Sequence, residues 1–163
     1  MNYIKITKND IANGIGVRTV LWVSGCLHCC PQCHNPQTWD INNGVEFNND
    51  TIKDIFNTLE KPYISGITYS GGDPLHPYNR IEITLLAKKI RDLYPNKTQW
   101  LYTGYRWEEI KNLPILNNID VLVDGEFQIE KRDITLAWRG SSNQRVINVQ
   151  ESLKQNKVVL WCE

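Results

Sequence analysis

Short apolar runs rich in β-branched and aromatic residues recur along the chain, and segments with helical spacing stand between several of them. The runs are 19–24 (TVLWVS), 66–70 (GITYS), 98–103 (TQWLYT), 119–124 (IDVLVD), 144–149 (QRVINV) and 157–161 (KVVLW). Most are continuous rather than alternating, the pattern of strands buried on both faces of a mainly parallel sheet. After Asp50, read as an N-cap, Ile52, Ile55, Phe56 and Leu59 share one helical face. Asn79, with Glu82 three residues on, opens a second helix in which Ile83, Leu86, Ala87, Ile90 and Leu93 keep the spacing up to Pro95. A short third helix is expected from Trp107 to Asn112. Strands alternating with helices imply right-handed βαβ crossovers. At 163 residues the chain is too short for a full eight-fold barrel, which takes ~250 residues. The expected fold is α/β: one domain over residues 1–163, a partial, open (β/α) barrel or a curved open sheet, with about five or six mainly parallel strands and its site at their C-terminal ends.

Charge narrows the function. Lysine plus arginine equals aspartate plus glutamate at 18 each, giving zero formal net charge. A nucleic-acid footprint needs clustered, unopposed positive charge, so none is expected. The opening MNYIKITKND lacks the apolar core of a signal peptide, and no apolar run approaches ~18 residues. A soluble, cytoplasmic protein with no membrane partner is expected. Its five cysteines, in a reducing compartment, point to metal or catalysis rather than disulfides.

Four of them fall within SGCLHCCPQCHNPQTW, residues 24–39. Cys26, Cys29, Cys30 and Cys33 can be read as two abutting C-x2-C pairs or, passing over Cys29, as a C-x3-C-x2-C triplet. Structural zinc usually takes two pairs separated by a longer spacer, and adjacent Cys29 and Cys30 reach one ion poorly. A distant fourth ligand, His76 or Cys162, would rescue a zinc-stapled interaction module. The triplet suits a four-iron cluster with one iron left open, and open positions are where metal sites do chemistry. A fourth ligand would instead make a plain electron carrier. The first strand runs directly into this loop. The next ends at Ser70-Gly71-Gly72-Asp73-Pro74, where paired glycines allow close backbone approach to a ligand. The bland alternative there is a glycine turn.

The triplet resembles the radical S-adenosylmethionine (SAM) signature, and SGGDP resembles that superfamily's G-G-E-like segment, with Asp for Glu. Pro31-Gln32 departs from the commoner pattern, which has an aromatic residue just before the third cysteine. Asp10 to Arg18 (DIANGIGVR), CHNPQTWD and TYSGGDPLHP are similar to glycyl-radical-enzyme activating proteins. WLYTGYRWEEI, IDVLVDGEF and WRGSSNQRVINV most resemble the activators of anaerobic (class III) ribonucleoside-triphosphate reductase. The resemblance spans nearly the whole chain. It implies a [4Fe-4S] cluster on Cys26, Cys30 and Cys33 that cleaves SAM to methionine and a 5′-deoxyadenosyl radical. The radical would take a hydrogen from a glycine in the glycyl-radical loop of the reductase large subunit. An activase of a pyruvate formate-lyase type enzyme is the sister reading. Gln32, Cys33 and His34 are expected against SAM, and Gly71, Gly72 and Asp73 at its amino group. Thr103, Gly104, Asp124, Arg139 and Arg145 are candidates for SAM or partner contact. Trp39 and Trp107 lie near these segments, and His28 and His76 are expected not to be ligands. The implied electron donor is a flavodoxin or ferredoxin. No separate acid–base pair is required.

Overall fold

The computed structural model describes residues 1–161, so Cys162 lies outside the described residues. In chain order its strands are β1 (Asn2–Asp10), β2 (Val17–Val23), β3 (Val45–Glu46), β4 (Ile64–Gly71), β5 (Thr98–Tyr102), β6 (Val121–Asp124) and β7 (Arg145–Asn148). They form one open sheet ordered β3-β1-β2-β4-β5-β6-β7. The three central pairings, β2–β4, β4–β5 and β5–β6, are parallel. The outer pairings β1–β2, β1–β3 and β6–β7 are antiparallel. The sheet therefore has seven strands rather than five or six, and it is mixed rather than mainly parallel.

The difference lies at the edges. In β1, which only the two-residue β3 covers on its outer side, Lys5, Lys8 and Asn9 are exposed and the rest half-buried, as suits an antiparallel strand near the sheet's rim. It carries no continuous apolar run to signal it. β7 returns beside β6 through a long irregular connection, with no crossover helix to force it parallel. The 157–161 run forms no strand. Its Leu160 makes a single bridge to Ile147, and backbone bonds from Asn148 to Val159 and from Trp161 to Val146 lay it along β7.

Among the described residues, four α-helices flank the sheet: α1 (Asn49–Leu59), α2 (Arg80–Leu93), the short α3 (Trp107–Ile110) and α4 (Val149–Gln155). Alternation within the strands separates two packed faces. Leu21, Val23, Ile67, Tyr69, Leu101, Leu122 and Ile147 join Ile55, Leu59, Ile83, Leu86 and Ile90 of the helices in the larger core. Trp100, Val121, Val123 and Val146 form a second cluster, with Tyr102 and Trp138 packed on it. Arg18 is fully buried near that cluster, 5.4 Å from the Trp100 ring. Its guanidinium donates to the Thr68 and Thr98 hydroxyls and to the carbonyls of Ile15, Ile67 and Thr98. Burial lowers its pKa to about 10.

The caps correct two sequence expectations. Asn48, not Asp50, caps α1, accepting from the N–H groups of Asp50 and Thr51. Asn79 does stand at the N-cap position of α2, but its side chain makes no cap bond. It donates instead to the carbonyls of Ser24 (2.7 Å) and Asp73 (3.1 Å), tying the end of β2 to the end of β4. α4, capped by Asn148, was not expected; seven residues give too little periodicity to detect.

Candidate functional site

The loop after β2 is closed on itself before its cysteines are placed. The N–H of Gly25 donates to Thr38 O (2.7 Å) and that of Cys26 to Trp39 O (3.1 Å). Cys29 and Gln32 both take left-handed backbone conformations, at φ 46° and 55°, an uncommon state for non-glycine residues. These two reversals wind the segment so that Cys26, Cys30 and Cys33 line one cavity of about 160 Å³, whereas Cys29 is exposed and does not line it. The N–H of Asn35 points at the Cys33 sulfur, 3.3 Å away. Burial pushes the Cys26 thiol up to about 11 and raises that of Cys30 as well.

The opposite wall is the turn after β4. A side chain at Gly72 would put its Cβ 2.5 Å from Gly25 O and 2.9 Å from Thr38 O. Gly71, at φ +103°, would bring one within 2.6 Å of the Val23 backbone. The N–H groups of Gly72 and Asp73 donate to Val23 O (2.8 Å) and Gly25 O (2.7 Å). The glycine pair thus locks this turn beneath the cysteine loop, backbone against backbone.

Asp73 is buried and fully engaged. Its carboxylate accepts from the Thr103 hydroxyl (2.9 Å), the N–H of Leu75 (2.8 Å), the N–H of Gly104 (3.1 Å) and His28 Nε2 (2.8 Å). The other nitrogen of His28, Nδ1, donates to Glu126 at 2.9 Å. Held between two carboxylates, above all by its bond to Asp73, the imidazole has its pKa raised to about 9. Gly104 has no side chain because His28 occupies that space; a Cβ would lie 2.4 Å from the ring. One side chain of the cysteine loop thereby fastens it to the ends of β4 and β5 and to the segment after β6.

The donor set fits a four-iron cluster with one iron free. Three thiols surround one cavity, and His28, the only histidine among the described residues that lines it, has both nitrogens committed to carboxylates. Among the described residues, no three His, Cys, Asp or Glu groups converge on a single ion. A cluster, unlike zinc, takes each thiolate on a different iron. The indole N–H of Trp39 is buried on the same cavity without a partner among the described residues.

The family model of a 4Fe-4S single cluster domain matches residues 12–147. The anaerobic ribonucleoside-triphosphate reductase-activating protein of Enterobacteria phage T4 is 45% identical over 146 residues, covering 90% of this chain and 93% of the relative. Proteins of the same description from Escherichia coli K12 (45% over 150 residues, 90% and 97%) and Haemophilus influenzae (40% over 148 residues, 88% and 96%) match similarly. The chain belongs to this family of activating proteins.

Within this family member the expected residues divide by location. Gly71, Gly72, Asp73, Thr103 and Gly104 line the cavity with the three cysteines. Gln32 is exposed and lies outside its lining; His34 faces a neighbouring groove that Cys33 shares. Asp124 and Arg145 are bound to each other at 2.5 and 3.0 Å. Arg145 also holds Glu108, and Asp124 accepts from the N–H of Trp107. Arg139 donates to Gln144 O and borders the neighbouring groove. His76 is buried and accepts from the N–H of Tyr78. His28, Glu126, Tyr102 and Phe127 line the cavity without having been singled out for it. Among the described residues no helix is long and apolar enough to cross a membrane.

Proposed function

We propose that the chain is a radical SAM activase. It would hold a [4Fe-4S] cluster on Cys26, Cys30 and Cys33, cleave SAM reductively, and raise a glycyl radical on the large subunit of an anaerobic ribonucleoside-triphosphate reductase. The observation that carries this reading is the sorting of thiols: the three of the C-x3-C-x2-C triplet share one cavity with the glycine turn, and the fourth stands outside. Family membership and the relatives' descriptions support the partner.

Cys26, Cys30 and Cys33 would hold the cluster, which when bound would supply one-electron reduction of SAM; the products would be methionine and a radical able to take a glycine hydrogen. The chain's residues bind and orient. Ser70, Gly71 and Gly72 line the cavity, and their backbone carbonyls would meet the SAM ammonium, with the Asp73 charge behind them. The Trp39 indole N–H is a donor for the SAM carboxylate. Thr103 and Gly104 hold Asp73 and complete the cavity. The open sheet, with its site at the C-terminal ends of parallel strands, supports a single radical SAM domain of the partial-barrel type. A cytoplasmic setting and a flavodoxin or ferredoxin donor complete the proposal.

The test is anaerobic reconstitution with iron and sulfide, reduction by dithionite, addition of SAM, and assay of 5′-deoxyadenosine and methionine. Both products should appear, vanish in Cys30→Ser and persist in Cys29→Ser. A colourless zinc protein that leaves SAM intact would refute the proposal.

A further inference from the structure

A groove of about 520 Å³ adjoins the thiol cavity, and the two share Cys33, Ser70, Tyr102, Phe127 and Gln144 in their linings. Its outer wall is the segment 132–140, laid over the second core cluster by Trp138. That residue takes a left-handed conformation, φ 59°, and stacks edge-on against Trp100 with ring centroids 5.2 Å apart. Such backbone strain persists only where packing over-determines it, and it clusters at functional sites.

Two polar groups bordering the groove have no partner among the described residues. The Tyr102 hydroxyl, on the sheet side, and Arg139 Nε, on the 132–140 side, are both buried and make no hydrogen bond. A buried, unpaired donor costs ~1–3 kcal/mol, a cost relieved when an occupant supplies the acceptor. Among the described residues, Arg132 and Arg139 line the groove and no aspartate or glutamate does. The occupant therefore brings acceptors. An extended main chain suits two walls, because its successive carbonyls point alternately to opposite sides. Trp22, Phe127 and Leu136 add apolar surface to the lining, and Asn13, Asn35, Ser70 and Gln144 add neutral polar side chains.

We propose that Tyr102 and Arg139 are specificity-determining residues that hydrogen-bond the main chain of the partner's glycine-bearing loop in this groove, presenting its Cα to the thiol cavity. This rests on the function proposed above. The exposed Ile134, 85% accessible on the outer wall, would then meet the body of the partner protein.

Affinity for the reductase large subunit, measured by calorimetry without SAM, tests the idea independently of radical chemistry. The probes are the intact subunit and the same subunit lacking its glycine loop. Tyr102→Phe removes one hydroxyl and keeps the ring. Arg139→Lys keeps the charge and can still reach Gln144 O, but it loses the Nε donor. Each should weaken binding of the intact subunit about tenfold, the scale of one lost hydrogen bond. Neither should change binding of the loop-deleted subunit, and unchanged circular dichroism would show that both variants are folded. Intact subunit bound as tightly by the variants as by the wild type overturns the inference. So does equal weakening of both probes, or a wild-type chain that ignores the glycine loop. A chain that binds the loop but never cleaves SAM would instead refute the radical reading alone.

Discussion

Gly72→Ala separates two reasons for a glycine at this turn. If the glycine serves close approach of a ligand, an added methyl should leave the apo fold intact and block SAM. The packing points the other way: the new Cβ would stand 2.5 Å from Gly25 O and 2.9 Å from Thr38 O, with backbone on both sides. Neither carbonyl can swing aside as a flexible side chain would. Forcing a group into packed surroundings costs ~1–3 kcal/mol. Moving the cysteine loop also disrupts the bonds from Gly72 N to Val23 O and from Asp73 N to Gly25 O, each worth ~1 kcal/mol. A destabilisation of about 3 kcal/mol is expected, lowering the melting temperature by roughly 6–12 °C for a domain of this size. Gly125→Ala is the control. There the nearest atoms lie 3.9 Å away and only the φ of +94° opposes a side chain, so the cost is ~1–2 kcal/mol. The assay is thermal unfolding of the apo proteins, with iron and sulfide content after reconstitution as a second readout. A Gly72→Ala protein that melts within 2 °C of the wild type, the precision assumed for comparing such shifts, yet no longer responds to SAM would refute the packing argument.

Removing Arg145 leaves Asp124 buried with only the Trp107 N–H to oppose its charge, so Arg145→Met should lose ~3–5 kcal/mol in urea unfolding. Adding Asp124→Asn should recover at least half of that, and no recovery would rule out an unpaired charge as the cause. His28→Ala deprives Asp73 of its cationic partner but leaves it Thr103, Gly104 and the Leu75 N–H; apo stability should fall by ~2 kcal/mol, and an unchanged melt contradicts His28 as a fastener of the cysteine loop. Gln144 Oε1 accepts from Gly140 N, Ser141 N and the Ser141 hydroxyl, while its amide nitrogen donates to Gly125 O. Gln144→Ala should therefore raise the rate of limited proteolysis within 132–140 about tenfold; an unaltered rate means another contact holds that segment.

What the chain discloses in one dimension is what its chemistry makes local. The inward-facing triplet is legible because three cysteines in eight positions leave few geometries, and β4, β5 and β6 are legible because burial on both faces writes a continuous apolar run. β1 escapes because a strand so near the sheet's rim is half polar. The role of His28 escapes because its partners lie 45 and 98 residues away, with no spacing to announce them. The 139–145 segment was ambiguous for a different reason. Its residues look suited to a ligand, yet Gln144 is spent on the segment itself and Arg145 on Asp124 and Glu108, leaving Arg139 with the spare donor.

The same separations bear on how the site comes into being. The thiols are near neighbours along the chain and can meet before most of the protein is folded. The bridge from His28 to Asp73 and Glu126 must instead wait for long loops to close, which is entropically slow. Glu126 also lies beyond β6, the last parallel strand to be added. Sulfur ligands that can gather early are thus enclosed late, and a nascent or partly unfolded chain exposes them without the wall that would confine a reaction.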